Sequence, residues 1–143
     1  MDMRDKPNKA IRKHDKRHLV TMGLVLIEIG KPEEAAGFPP SKIAPALDFV
    51  SVHMYPEKGM LGTGIDTLTR CKVGKPVVIE EIFPLKCDLK ELGTFIERSR
   101  GSANGLLGFY WGQTPEELKG STEPMNQLTL GWLELFQAMN PNR

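Results

Sequence analysis

Two cysteines in a chain of 143 residues cannot staple a fold, and Cys71 and Cys87 stand too far apart for a CxxC or Cys/His metal spacing. A disulfide between them is one option; buried free thiols are the expected state. Charge of one sign is also lacking. The formal net charge is +1, so no large field recruits nucleic acid or an anionic membrane surface. No run of residues is apolar and long enough to read as membrane-spanning. No GxGxxG follows an apolar run, which argues against a dinucleotide. No His/Asp/Glu cluster has ligand spacing, so neither a metal nor a cofactor is expected. The opening stretch, MDMRDKPNKAIRKHDKRH, has no apolar centre and is not a signal peptide. Its basic residues are expected on a solvated helix face. Localisation stays open. As it stands the chain reads as soluble and cytoplasmic, while an intact parent could be secreted.

What is present suits one α/β domain over residues 1–143. Four apolar, β-branched or aromatic runs read as strands: 18–27, 47–56, 75–82 and 105–112. Their near-continuous apolarity predicts strands covered on both faces, as in parallel sheets. Helices are predicted over 8–17, 64–74, 88–101 and 122–140, with a helical turn at 41–47 interrupted at Pro45. Asp88 and Glu91 have capping-box spacing. Trp132 falls on the apolar stripe of the last helix and belongs to the core. Strict alternation of strand and helix predicts right-handed crossovers and a parallel sheet in sequential order.

The third run, GKPVVIEEIFPL, ends in two adjacent carboxylates, Glu80 and Glu81. An unpartnered buried carboxylate is costly, so such a pair is either solvated or chemical. Strand side chains alternate between faces. By that parity Ser51, His53 and Tyr55 share one face of the second strand. On the third strand Val77, Ile79 and Glu81 share a face, which is assigned to the same side as His53; Val78, Glu80 and Ile82 share the opposite one, with Glu80 pointing outward toward a Lys, Arg or backbone partner. On the fourth strand, Leu107, Phe109 and Trp111 share a face. Sites in α/β folds gather at the C-terminal ends of strands. His53, Tyr55, Glu81 and Trp111 all fall at such ends. A carboxylate, an imidazole, a phenol and an indole converging there make a sugar-site inventory, with the carboxylate placed to act at an anomeric carbon.

With these residues in view, DFVSVHMYP, GKPVVIEE and GLLGFYWG resemble strands six, seven and eight of the retaining clan A glycoside hydrolases, closest to cellulase-like family five. RKHDKRHLVTMG resembles the preceding helix and strand five. The resemblance covers nearly the whole chain. It implies a partial (β/α)8 TIM barrel of four parallel strands, five to eight, with flanking helices. It implies hydrolysis of O-glycosidic bonds in a β-linked polysaccharide or oligosaccharide by double displacement. Glu81 matches the nucleophile, Tyr55 the residue that hydrogen-bonds it, His53 a neighbour at the cleaved sugar, and Trp111 the platform beneath that sugar. Gln113 is a further candidate for a sugar hydroxyl.

The family's acid/base is the Glu of an Asn-Glu-Pro motif after strand four, and this chain contains no such motif. Thr122-Glu123-Pro124 opens a helix, where Pro is a structural preference, so Glu123 is rejected as the acid. The chain therefore resembles the C-terminal half of a glycosidase, with little activity expected of it alone. Its expected partners are a carbohydrate and either a second copy or a complementary N-terminal half-barrel. The alternative is a non-catalytic carbohydrate-binding or assembly half-barrel.

Overall fold

The computed structural model describes residues 6–26, 30–32 and 38–139. Residues 1–5 of the basic segment, Ile27 of the first predicted strand and Asn140 of the last predicted helix lie outside these. The elements run α1 (Lys6–His14), β1 (Gly23–Val25), α2 (Pro40–Ile43), a 3-10 turn (Ala44–Ala46), β2 (Val50–Met54), α3 (Leu61–Arg70), β3 (Val77–Ile82), α4 (Leu89–Ser99), β4 (Gly105–Leu106), α5 (Pro115–Leu118) and α6 (Pro124–Ala138). The four strands form one all-parallel sheet in the order β1-β2-β3-β4. Among the described residues no helix is long and apolar enough to cross a membrane.

Register sorts the side chains into rows. Leu24, Val52, Ile79 and Leu106 are neighbours across the sheet. Leu24, Val52 and Ile79 are buried, and with Val50, Met54, Val77 and Ile82 they pack on Leu68 and Cys71 from the α3 region and on Leu92, Phe95 and Ile96 of α4. This is the main core, and burial of its aliphatic side chains drives the fold at roughly 1.5–3 kcal/mol each. The other face carries the row Gly23–Ser51–Val78–Gly105 and, above it, Val25–His53–Glu81. Val25 on that face is 48% exposed.

Local chemistry explains the helix ends. Asp88 caps α4 by accepting from the Glu91 amide at 2.8 Å. The reciprocal half of the expected capping box is missing, because the Glu91 carboxylate accepts instead from the Gly59 amide at 3.1 Å. A full capping box occurs at α5, between Thr114 and Glu117. Helix α1 is tied down by Arg12 on Asp48 and by Asn8 on the Ala46 carbonyl. The Val20 amide, and then the Arg12 guanidinium, hold the Asp48 carboxyl below its ordinary range.

Two predicted strands are much shorter than expected. Before Gly23 the two segments keep one backbone bond, Asp48 N to Val20 O at 2.9 Å, while Thr21 Oγ1 donates to the Phe49 carbonyl and the Val20 amide donates to Asp48 Oδ2 at 2.6 Å, so side chains take over most of the pairing there. The last strand leaves the sheet after Leu106, where the Leu107 amide makes its bond to Ile79 O at 2.8 Å. Gly108 then lies against the rings of Trp132 and Phe136. Phe83, Phe109, Tyr110 and Phe136 surround Trp132 with ring centroids 5.0–6.0 Å from it. The indole is 1% exposed and pins the departing chain to α6. Replacing it with alanine should cost about 3–5 kcal/mol, as truncation of buried large aromatics does. Urea unfolding of Trp132→Ala checks this; a loss under about 1 kcal/mol would mean that the cluster is loosely packed.

Candidate active site

β2 delivers His53 and, just past its end, Tyr55. β3 delivers Glu80 and Glu81. The ladder between them is irregular: Val52 pairs with Ile79, but His53 pairs with Glu81. One residue on β3, Glu80, has no opposite number, which makes a β-bulge. Alternation breaks there. Val77, Ile79 and Ile82 point into the helix-covered core, whereas Glu80 and Glu81 both lie on the face of Ser51 and His53. The outward placement expected for Glu80 is therefore corrected. So is the parity that grouped Glu81 with Val77 and Ile79; the bulge, not alternation, brings Glu81 to the site face.

The contacts follow. His53 Nε2 lies 3.0 Å from Glu80 Oε1, and His53 Nδ1 lies 3.4 Å from Glu81 Oε2. The Tyr55 hydroxyl donates to Glu81 Oε1. An ionised carboxylate only accepts, so the His53 nitrogen facing Glu80 is the donor. The side chains of His53, Glu80 and Glu81 are 21%, 26% and 26% exposed, at a partly desolvated mouth rather than in bulk water. Below them Ser51 is fully buried, and among the described residues its hydroxyl has no partner. On the neighbouring strand, Gly23 leaves room for the pair: a methyl there would collide with Glu80 Oε1 and come within 2.9 Å of His53 Nε2.

The rim is braced. The stretch after β2 joins the stretch after β3 through a Glu57–Lys86 bridge, with Lys58 N donating to Lys86 O at 2.9 Å and Lys86 Nζ at 2.6 Å from Glu57 Oε1. Tyr55 and Glu81 thus sit just inside two loops fixed to each other.

Comparison with family models, with curated proteins and with solved structures finds no match.

Three of the sequence-predicted site residues, His53, Tyr55 and Glu81, are brought together. Trp111 is fully exposed, on irregular chain beyond β4. Among the described residues no hydrogen bond or ring contact ties Trp111 or the exposed Gln113 to this trio. Glu80 and Gly23 are the site residues that sequence reasoning missed. Glu123 precedes α6 and is exposed, without a side-chain cap bond. A hollow lined by Gly30, Thr63, Asp66, Thr67, Thr69 and Arg70 shares no residue with the site. Among the described residues no group of three or more His, Cys, Asp or Glu is placed to hold a metal ion.

Chemically the site offers one carboxylate, Glu81, with a phenol on one oxygen and an imidazole near the other. The His53 ring lies between Glu80 Oε1 and Glu81 Oε2 and contacts both. Neither cysteine is activated as a nucleophile. Both are free. Burial pushes the Cys71 thiol up to about 11, against a small opposing effect of Arg70. Burial, then Glu91 and Asp88, push Cys87 up to about 11 as well. A raised thiol value means less thiolate at neutral pH, hence less reactivity. Alkylation of half-buried Cys87 should therefore be slow at pH 8 and accelerate as pH climbs toward 11, with Cys71 slower still for want of access. Mass spectrometry after timed iodoacetamide treatment checks this; fast labelling of Cys87 at pH 8 would contradict it.

Proposed function

We propose that the chain is the nucleophile-bearing part of a retaining O-glycoside hydrolase, a half of a TIM barrel corresponding to strands five to eight. The observation that carries this reading is the Tyr55–Glu81–His53 constellation at the C-terminal ends of two adjacent parallel strands. The all-parallel sheet with a helix-covered face and a second face that holds the polar groups is consistent with a barrel segment.

In this mechanism a Glu81 oxygen attacks the anomeric carbon and the glycosidic C–O bond breaks. The leaving oxygen takes a proton from a second carboxyl group. Water then attacks the glycosyl ester, gives its proton to that same group and releases Glu81. Oε1 is held by Tyr55, which orients the carboxylate. Oε2 is the attacking atom, because its contact to His53 at 3.4 Å is past the usual hydrogen-bond range and yields readily to substrate. The acid/base has to come from outside the four strands, on a complementary half-barrel or a second copy. Among the described residues β1 and β4 each pair on one side only, which leaves edges for such a partner. A non-catalytic carbohydrate-binding half-barrel is the second reading. The fully exposed Trp111 indole favours it, since an aromatic face with one side open suits stacking on a sugar.

A 2-deoxy-2-fluoro glycoside with a dinitrophenolate leaving group separates the two, because that leaving group needs no protonation. Covalent labelling should map to Glu81 and vanish in Glu81→Gln. Tyr55→Phe should slow labelling about tenfold or more, since a hydrogen bond to a charged group is worth roughly 1.5–3 kcal/mol. Unactivated glycosides should go essentially uncleaved by the chain alone, because general acid catalysis supplies about 10²–10⁴-fold. Sugar binding without any adduct would sink the hydrolase reading; an adduct on Glu80 would sink the assignment of the nucleophile.

A further inference from the structure

We propose that Glu80 is a positioning residue, holding the His53 ring in place beside Glu81 through a link that the β3 bulge creates and Gly23 permits. The inference rests on the glycosidase reading for its consequence, but its geometry stands independently. Glu80 Oε1 engages His53 Nε2 at 3.0 Å, and the same ring presents Nδ1 to Glu81 Oε2 at 3.4 Å. The four side chains form one line, Glu80–His53–Glu81–Tyr55, in which every member but the terminal two touches a neighbour on each side. An imidazole whose far nitrogen is bonded to a carboxylate has its ring plane, and the proton on that nitrogen, fixed by the bond. Without Glu80 the ring would be free to turn about its χ2 and take Nδ1 away from Glu81.

The link also outlasts the change at Glu81. When a Glu81 oxygen bonds to the anomeric carbon, its carboxylate becomes a neutral ester. The Glu80–Nε2 contact does not involve Glu81, so it still holds the ring in position when water attacks. Gly23 is part of the device. Its missing side chain is where the Glu80 carboxylate and the edge of the His53 ring lie. Because the atoms a methyl would strike are the ends of the Glu80 and His53 side chains and not backbone, Gly23→Ala should part the pair rather than unfold the sheet.

The test is long-range proton–nitrogen NMR of the His53 ring in the full 143-residue chain, combined with the rate of Glu81 labelling by the fluoro glycoside. In the unaltered protein His53 Nε2 should carry a slowly exchanging, hydrogen-bonded proton. Glu80→Ala and Gly23→Ala should both lose that signature, while Glu81→Gln keeps it. Labelling of Glu81 should fall about 10–100-fold in both variants at unchanged far-UV circular dichroism, the size of effect that ångström-scale misplacement produces. An unchanged Nε2 signal in Glu80→Ala overturns the proposal, and so does an unchanged labelling rate. The two readings fail separately. Loss of the Nε2 signal in a protein that never labels on Glu81 keeps the Glu80–His53 link and sinks the glycosidase. Normal labelling with an indifferent Nε2 keeps the glycosidase and sinks the role of Glu80.

Discussion

One extra residue in β3 sets the character of this molecule. A strand with unbroken alternation could put Glu80 or Glu81 on the His53 face, but not both. The bulge at Glu80 places both there and returns Ile82 to the core. Bulges bend a strand, sharpen its twist and cluster near functional sites. Here the irregularity also coincides with the end of the sheet's last strand. β4 follows β3 as far as Ile79 and then departs, so the bulge and the loss of pairing occupy the same level of the fold.

The two faces of the sheet divide the labour. One is apolar and covered by α3 and α4, and it supplies the burial that stabilises the fold. The other carries a glycine, a serine, an imidazole and two carboxylates, and gains little from burial. Groups such as these are retained where they are hydrogen-bonded or do chemistry. All the charged members of this set are partnered; the Ser51 hydroxyl beneath them is not. The polar face is tolerable because the apolar face and the Trp132 cluster stabilise the sheet without it.

The α/β class, the parallel sequential sheet, the cap at Asp88 and the core role of Trp132 were legible in the sequence, since they follow from apolar period and end chemistry. Gathering of His53, Tyr55 and Glu81 was legible too, though for Glu81 the stated reason was wrong. Strand lengths were not. Apolar runs such as HLVTMGLVLI and GLLGFYWG look like full strands, yet Asp48 captures the backbone of one, and the other turns away to pack on Trp132. Nor was the bulge legible, because alternation is the rule by which a sequence is read and a bulge is its exception. Two signals pointed to it. One was the Glu-Glu doublet followed by a buried Ile, a pattern that alternation cannot satisfy. The other was Gly23, a side-chain-free position in an apolar strand, which often marks close approach of another group.

The account depends on Glu80 and His53 being direct partners. A double-mutant cycle measures that partnership without reference to any reaction: His53→Ala, Glu80→Ala and the double variant, each unfolded in urea. Direct contact predicts a coupling of about 0.5–3 kcal/mol, as for residues that share a hydrogen bond. Additive losses, with coupling indistinguishable from zero, would contradict the bulged arrangement on which the site is built.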